Sequence, residues 1–263
     1  MTYAKKRFGQ HFLTDPRLLD RIAAALEAPP GTSVLEIGPG RGALTGALLQ
    51  RGFAVTAIEK DADLWDELRL RFPTLRLVEG DALDLDWPAL APGALVIGNI
   101  PYNVTSPLVD KALRPPRPAR IVFLVQKEVA IRLAAAPGSS EYGALSVGVQ
   151  AVARVERLFT VAAGAFSPPP KVDSAVVRLT PLAEPLIADA EVPAFRALVV
   201  GLFGYRRKTL LRGLRELTGW APDAAGAVLA AAGQDGTHRP ETLAPHDFAR
   251  LFAACVDAGW RGR

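Results

Sequence analysis

The chain has 263 residues, 49% of them hydrophobic, enough to bury one large core or two smaller ones. No apolar run approaches the ~20 residues that cross a bilayer, and the basic Lys5-Lys6-Arg7 leads into polar sequence rather than a signal core, so a soluble, cytoplasmic protein is expected. The single Cys255 excludes an internal disulfide, and three scattered histidines (His11, His238, His246) make no metal-spaced cluster, so no metal is expected. A net charge of +4 is spread unevenly: residues 201–220 carry Arg206, Arg207, Lys208, Arg212 and Arg215 against the one acid Glu216. That cluster and Lys5–Arg7 form either an anionic-partner footprint or a solvated face plus a tail.

In chain order, Asp15 and Pro16 read as the N-cap and first residue of a helix over 16–26. Apolar runs then alternate with helical patterns. Strands are expected at 34–38, 54–59, 75–79, 94–98 and 121–125, and helices at 43–51, 61–71 and 127–135. Residues 145–155 and 174–179 read as later strands, close enough to pair antiparallel at the sheet edge. The alternation implies βαβ units and a mostly parallel sheet. After residues 180–185 the strand pattern stops, and 192–202, 208–217, 222–232 and 245–258 look helical. The expected fold is therefore α/β over residues 1–182, followed by a small all-helical domain over 183–263.

The chemistry gathers at the strand ends. The first strand runs into Gly38-Pro39-Gly40-Arg41-Gly42, whose glycines allow a tight turn and a close backbone approach to a ligand. The G-x-G-x-G spacing differs from the G-x-G-x-x-G of dinucleotide binders. With the acidic Glu36 inside the strand, it suits a nucleoside joined to an amino acid. Glu59 ends the second strand, where an acid can accept from both ribose hydroxyls. Asp81 follows the third, where a carboxylate can accept from an exocyclic amino group. Each acid alone reads as a cap or turn residue. Together, in order, they outline a site for S-adenosyl-L-methionine. The fourth strand ends in Asn99-Ile100-Pro101-Tyr102, a tetrad able to hold a planar amino group such as adenine N6.

Several motifs then agree in order and spacing: Phe8-Gly9-Gln10-His11-Phe12-Leu13, Phe166-Ser167-Pro168-Pro169-Pro170-Lys171-Val172-Asp173-Ser174, and Leu202-Phe203-Gly204-Tyr205-Arg206-Arg207-Lys208-Thr209-Leu210. With the GxGxG and NIPY elements, they resemble the ribosomal RNA adenine dimethyltransferase family over residues 5–250. The small-subunit type is the nearest form. The resemblance implies a Rossmann-like class I methyltransferase sheet that binds S-adenosyl-L-methionine, and a helical domain that meets RNA. The implied reaction is N6,N6-dimethylation of two adjacent adenines near the 3′ end of small-subunit (16S) rRNA, with a role in small-subunit biogenesis. The implied partner is that rRNA or a small ribosomal subunit precursor, bound by a monomer.

It further implies that His11, Leu13, Gly38, Gly40, Glu59, Asp81 and Asn99 contact the cofactor. His11 stands where many relatives carry Asn. Asn99 and the Ile100 carbonyl would take the two N6 hydrogens. Pro101 would restrict the turn, Tyr102 would stack on the base, and Phe166 would close its other face unless it serves the core. Arg206, Arg207 and Lys208 would hold RNA phosphates, with Lys208, Arg212 and Arg215 on one helix face, unless Arg206 and Arg207 pair with carboxylates. The rival readings are a macrolide-resistance methyltransferase acting on large-subunit rRNA, a ribosome-binding factor, and a NAD oxidoreductase, the last disfavoured by the glycine spacing.

Overall fold

The computed structural model describes residues 11–262. Lys5–Arg7 and the opening of the first family motif, Phe8-Gly9-Gln10, lie outside the described residues. Strand β1 (Phe12–Leu13) precedes helix α1 (Pro16–Ala24). Asp15 caps that helix as its sequence position suggests, accepting from the Arg17 N–H at 2.8 Å and from Leu18 N–H. Then come β2 (Ser33–Ile37), α2 (Ala43–Gln50), β3 (Ala54–Glu59), α3 (Trp65–Arg71), β4 (Arg76–Glu79), α4 (Trp87–Leu90), β5 (Leu95–Asn99), α5 (Thr105–Ala112), β6 (Ile121–Gln126) and α6 (Lys127–Leu133). Next are α7 (Ala144–Gln150), β7 (Ala153–Val161), β8 (Phe166–Ser167) and β9 (Ser174–Pro181). Four helices close the chain: α8 (Val192–Gly204), α9 (Leu210–Thr218), α10 (Pro222–Ala231) and α11 (Pro245–Asp257).

Seven strands form one sheet in the order β4-β3-β2-β5-β6-β9-β7. The pairs from β4 to β6 are parallel, and β9 runs antiparallel to β6. β1 and β8 make a separate antiparallel pair, with Leu13 opposite Phe166. The central strands are apolar on both faces because helices cover both. On one face, Ile22 of α1, Leu26 just beyond it, and Leu44 and Leu48 of α2 bury against Val34, Ile97, Val122 and Val176. Strand order reverses at β2, whose neighbours β3 and β5 are reached by chain leaving in opposite directions. Such a switch point opens a crevice outside the carboxyl ends of the strands.

The chain divides into two compact units. One runs through Ala130 and takes in Val155–Pro181. The other comprises Ile131–Arg154 and the chain from Leu182 onward. The second crossing lies beside the boundary expected at 182/183, but the single boundary is corrected: residues 131–154 group with the C-terminal helices. The strand expected over 145–155 is corrected as well. Residues 144–150 are helical and the strand starts at Ala153. Ser146 and Val147 are fully buried. The Ser146 hydroxyl donates to the Arg132 carbonyl at 2.5 Å, and the Gln150 amide donates to the carbonyls of Leu133 and Ala135. Leu145, Val147 and Val149 alternate with Ser146, Gly148 and Gln150, the period of a strand, and these long-range side-chain bonds override it. The core of this unit is aromatic: Phe195 meets Phe252 edge-on, Phe203 stacks on Phe248, and the Tyr142 hydroxyl donates to the Leu243 carbonyl at 2.8 Å. Among the described residues, no helix is long and apolar enough to cross a membrane.

Gly98 shows how tightly β5 sits beside β2. A Cβ there would lie 2.6 Å from the Ile37 carbonyl oxygen and 2.9 Å from the Ile100 side chain. Backbone cannot retreat as a side-chain tip can. Gly98→Ala is expected to cost about 2–3 kcal/mol, read as a fall in the urea midpoint with an unchanged slope.

Candidate active site

A cavity of about 250 Å³ opens at the carboxyl ends of β2, β3 and β5. Its lining includes His11, Leu13, Gly38, Gly40, Glu59, Asp81, Asn99, Ile100, Pro101 and Tyr102. The residues expected to meet the cofactor, and the tetrad, thus converge from elements far apart in sequence.

The glycine loop between β2 and α2 owes its shape to three left-handed residues: Gly38 (φ 67°), Gly40 (φ 58°) and Gly42 (φ 76°). Besides that strain, a Cβ on Gly40 would stand 2.9 Å from the Phe12 ring, so the loop lies close against β1. Its position is fixed from β3. The Gly38 N–H donates to the Ile58 carbonyl at 2.9 Å, and the Gly40 N–H donates to Glu59 Oε2 at 2.9 Å. The other oxygen of Glu59, Oε1, accepts from the Asp61 N–H at 2.7 Å. Burial pushes the Glu59 carboxyl up, and these N–H donors hold it back. A carboxylate has about four lone-pair directions, so Glu59 retains capacity for ligand hydroxyls.

Asp81 lies in a different environment. Its Oδ2 accepts from Lys60 Nζ at 2.5 Å and its Oδ1 from the Leu83 N–H at 2.9 Å. Burial pushes its carboxyl up, but the Lys60 ammonium and the Leu83 amide outweigh it and hold the group below the ordinary range. Asp81 is therefore an acceptor at neutral pH.

The Asn99 amide is oriented by its contact with His11. Its Nδ2 donates to the His11 carbonyl at 2.9 Å. A carbonyl can only accept, so the amide nitrogen must face it, and Oδ1 turns away as an acceptor. The Ile100 N–H donates to the Leu124 carbonyl at 3.0 Å, which continues the sheet past β5. Pro101 (φ −57°, ψ 135°) then turns the chain into a 3₁₀ segment at Tyr102–Val104. The Tyr102 ring is half-buried beside the His11 ring, with centroids 5.6 Å apart at 28°. His11 Nδ1 donates to the Pro168 carbonyl at 2.8 Å.

Two expected site residues fall elsewhere, and one expected helix face is not formed. Phe166 is only 4% exposed and belongs to the core that includes Leu13 and Val161; it does not line the cavity, which corrects its expected place over the base. Its pairing with Leu13 turns the ring inward. Arg206 is tied within the helical unit, donating to Glu241 Oε2 at 2.9 Å and to the Ser140 carbonyl. Lys208 precedes α9, whose N-cap is Thr209. It therefore does not share a helix face with Arg212 and Arg215, and Arg212 faces Glu216 at 3.9 Å. Arg207 and Lys208 are exposed. Sequence reasoning missed Phe12 and Arg41, which line the cavity beside the glycine loop, although both stood inside quoted motifs.

Glu36, on β2, is 1% exposed and accepts from the Thr45 hydroxyl at 2.7 Å. Burial pushes its carboxyl up to about 8, the Thr45 bond opposing and the Glu59 charge adding. The folded chain therefore holds this proton where an unfolded glutamate, near 4.5, has released it. The resulting stabilisation is complete below about pH 4.5 and drains away as pH rises toward 8. Glu36→Gln is expected to flatten that decline and to exceed the parent by a few kcal/mol at pH 8, measured by urea unfolding at pH 5 and pH 8.

Comparison with known proteins agrees with this geometry. The family described as ribosomal RNA adenine dimethylase matches residues 1–226. A Pseudomonas fluorescens protein named ribosomal RNA small subunit methyltransferase A is 45% identical over 97% of this chain and 94% of its own length. A Thermosynechococcus vestitus protein of the same name is 45% identical over 95% and 96%. Among solved structures, a dimethyladenosine transferase from Plasmodium falciparum covers 95% of this chain and 98% of its own, with TM-score 0.81 and 28% identity. The 23S rRNA methyltransferase ErmE covers 92% and 98%, with TM-score 0.71 and 32% identity. The chain therefore belongs to the ribosomal RNA adenine dimethylase family, on a class I methyltransferase fold.

Proposed function

We propose that the protein transfers methyl groups from S-adenosyl-L-methionine to N6 of two adjacent adenines near the 3′ end of small-subunit (16S) rRNA, and so contributes to small-subunit biogenesis. The observation that carries this reading is the Asn99 amide, held by the His11 carbonyl so that its oxygen is left to accept. The cavity residues fit the cofactor. The left-handed glycines keep the loop free of side chains where it borders the cavity, so that a ligand can approach its backbone closely, Glu59 has capacity for ribose hydroxyls, and Asp81 is a charged acceptor for an adenine amino group. When bound, the cofactor supplies a methyl carbon already activated by its sulfonium.

The protein's own residues have the harder task, because the adenine N6 lone pair is delocalised into the ring. Asn99 Oδ1 and the Ile100 carbonyl accept the two N6 hydrogens. This draws nitrogen toward tetrahedral geometry and aims its lone pair outward. Tyr102 stacks on the extruded base. As N6 gains the methyl carbon, whose bond to sulfur breaks, it sheds one proton to water. One hydrogen remains for the second transfer, so one acceptor then faces a methyl group.

On this reading, the protein works in the cytoplasm as a monomer on rRNA or a small-subunit precursor. The unit that runs through Ala130 and takes in Val155–Pro181 holds the cofactor, and the helical unit meets RNA through the exposed Arg207 and Lys208. The ErmE likeness keeps large-subunit rRNA as the second reading; the 45%-identical relatives, named for the small subunit, favour the first.

Labelled methyl transfer to unmethylated small and large subunits separates the two. Dimethyladenosine confined to small-subunit RNA is expected. Label in large-subunit RNA would move the protein to the second reading, and tight binding without label would make it a binding factor. Asn99→Ala is expected to lower kcat about 10²–10³-fold; near-normal turnover with unchanged cofactor affinity would sink the acceptor role. Arg207→Glu with Lys208→Glu should weaken RNA binding and lower its salt slope by about 2, seen in a filter-binding salt titration. Arg206→Glu should instead lower the melting temperature, because it leaves Glu241 without its guanidinium partner.

A further inference from the structure

The segment 166–174 carries much of the family resemblance, yet none of its side chains has a part in the chemistry derived above. Its contacts show what it does. β8 pairs with β1 and so holds the backbone on which His11 and Leu13 sit. The Pro168 carbonyl takes the His11 ring N–H. Asp173 accepts from the Ala163 N–H at 3.1 Å, and its carbonyl accepts from the Lys127 N–H at 3.0 Å. At the end of the segment, Ser174 begins β9, opposite Gln126 of β6, and is 0% exposed. Its hydroxyl lies 2.7 Å from the Tyr102 hydroxyl.

That last contact matters because of how a tyrosine moves. The ring turns about two side-chain torsions, and the second has a broad energy minimum. A hydrogen bond at the far end of the ring restrains both. The His11 ring, stacked at 5.6 Å, restrains the plane from the side. Ser174 is anchored in the central sheet, so its hydroxyl is a fixed point. A stacking platform that drifts by an ångström loses much of its value, since small misplacements cost up to about 10²-fold in rate.

We propose that Ser174 is a positioning residue for methyl transfer: its hydroxyl pins the Tyr102 ring, with His11 as the lateral brace, so that the target adenine meets a platform of fixed orientation. This rests on the reading that Tyr102 stacks on the target base.

The test is a double-mutant cycle on kcat/KM for RNA, with cofactor affinity measured separately by calorimetry. Ser174→Ala is expected to lower kcat/KM for RNA about 10-fold with the S-adenosyl-L-methionine dissociation constant unchanged. Ser174→Thr should restore it. Tyr102→Phe, which removes the same bond from the other side, should cost as much. The double variant Ser174→Ala/Tyr102→Phe should be no worse than either single. Losses that multiply in the double variant, or a fully active Ser174→Ala, would overturn the proposal. If Ser174→Ala does not fold, Tyr102→Phe and Ser174→Thr decide alone: the first must lose activity and the second must keep it. Tyr102→Ala guards the premise. Wild-type turnover there would overturn the stacking role itself, whereas a large loss there with additive single variants would overturn only the part assigned to Ser174.

Discussion

Everything at the site depends on where β2 lies in the sheet. It sits between β3 and β5, and the chain reaches those neighbours from opposite sides. The loops after β2, β3 and β5 therefore cannot fill the space above their own strands, and a crevice is left. Glu59 then converts that topological gap into a defined surface. Its two oxygens tie the backbone at Gly40 and Asp61 together, so the end of β3 dictates the path of the loop after β2. Without a buried acceptor there, three left-handed glycines would leave that loop loose.

Three carboxylates border one small cavity, and their surroundings separate their roles. Glu36, buried against a single hydroxyl, keeps its proton to about pH 8. Glu59, also buried, is pushed up by burial while the backbone N–H groups it faces oppose the rise. Asp81, beside an ammonium, is driven toward the charged form. A ligand that joins an amino acid, a ribose and a base meets acids already graded in charge. Proximity in space alone would have made the three resemble one another; burial and donors make them differ.

The sequence made legible what depends on local chemistry and periodicity. The Asp15 cap, the parallel strands, the glycine loop and the tetrad each carry a signature within a few residues, and the structure brings them together. What escaped depends on partners distant in the chain. In residues 145–150, Leu145, Val147 and Val149 alternate with Ser146, Gly148 and Gln150 as in a strand, and it is the bonds of Ser146 and Gln150 to the carbonyls of Arg132, Leu133 and Ala135 that accompany the helix instead. Phe166 stands in a family motif, but pairing with Leu13 turns it inward. Arg206 sits in a basic run, and Glu241, 35 residues away, claims it. In each case the deciding atom belongs to another segment, and no window of sequence contains it.

The His11–Asn99 contact has a chemical consequence beyond orientation. The side chains of asparagine and aspartate differ by one group, NH₂ against oxygen, and here that group faces a carbonyl. Slow deamidation, a common fate of asparagine in ageing proteins, would set two acceptors face to face and add a negative charge beside the cavity. The chain would keep its length, its sheet and its cofactor loop, but the amide would lose its anchor. The β-branched Ile100 crowds the following peptide nitrogen, through which deamidation proceeds, and so slows that loss. The tetrad thereby protects chemically, over the lifetime of the molecule, the same atom that it orients.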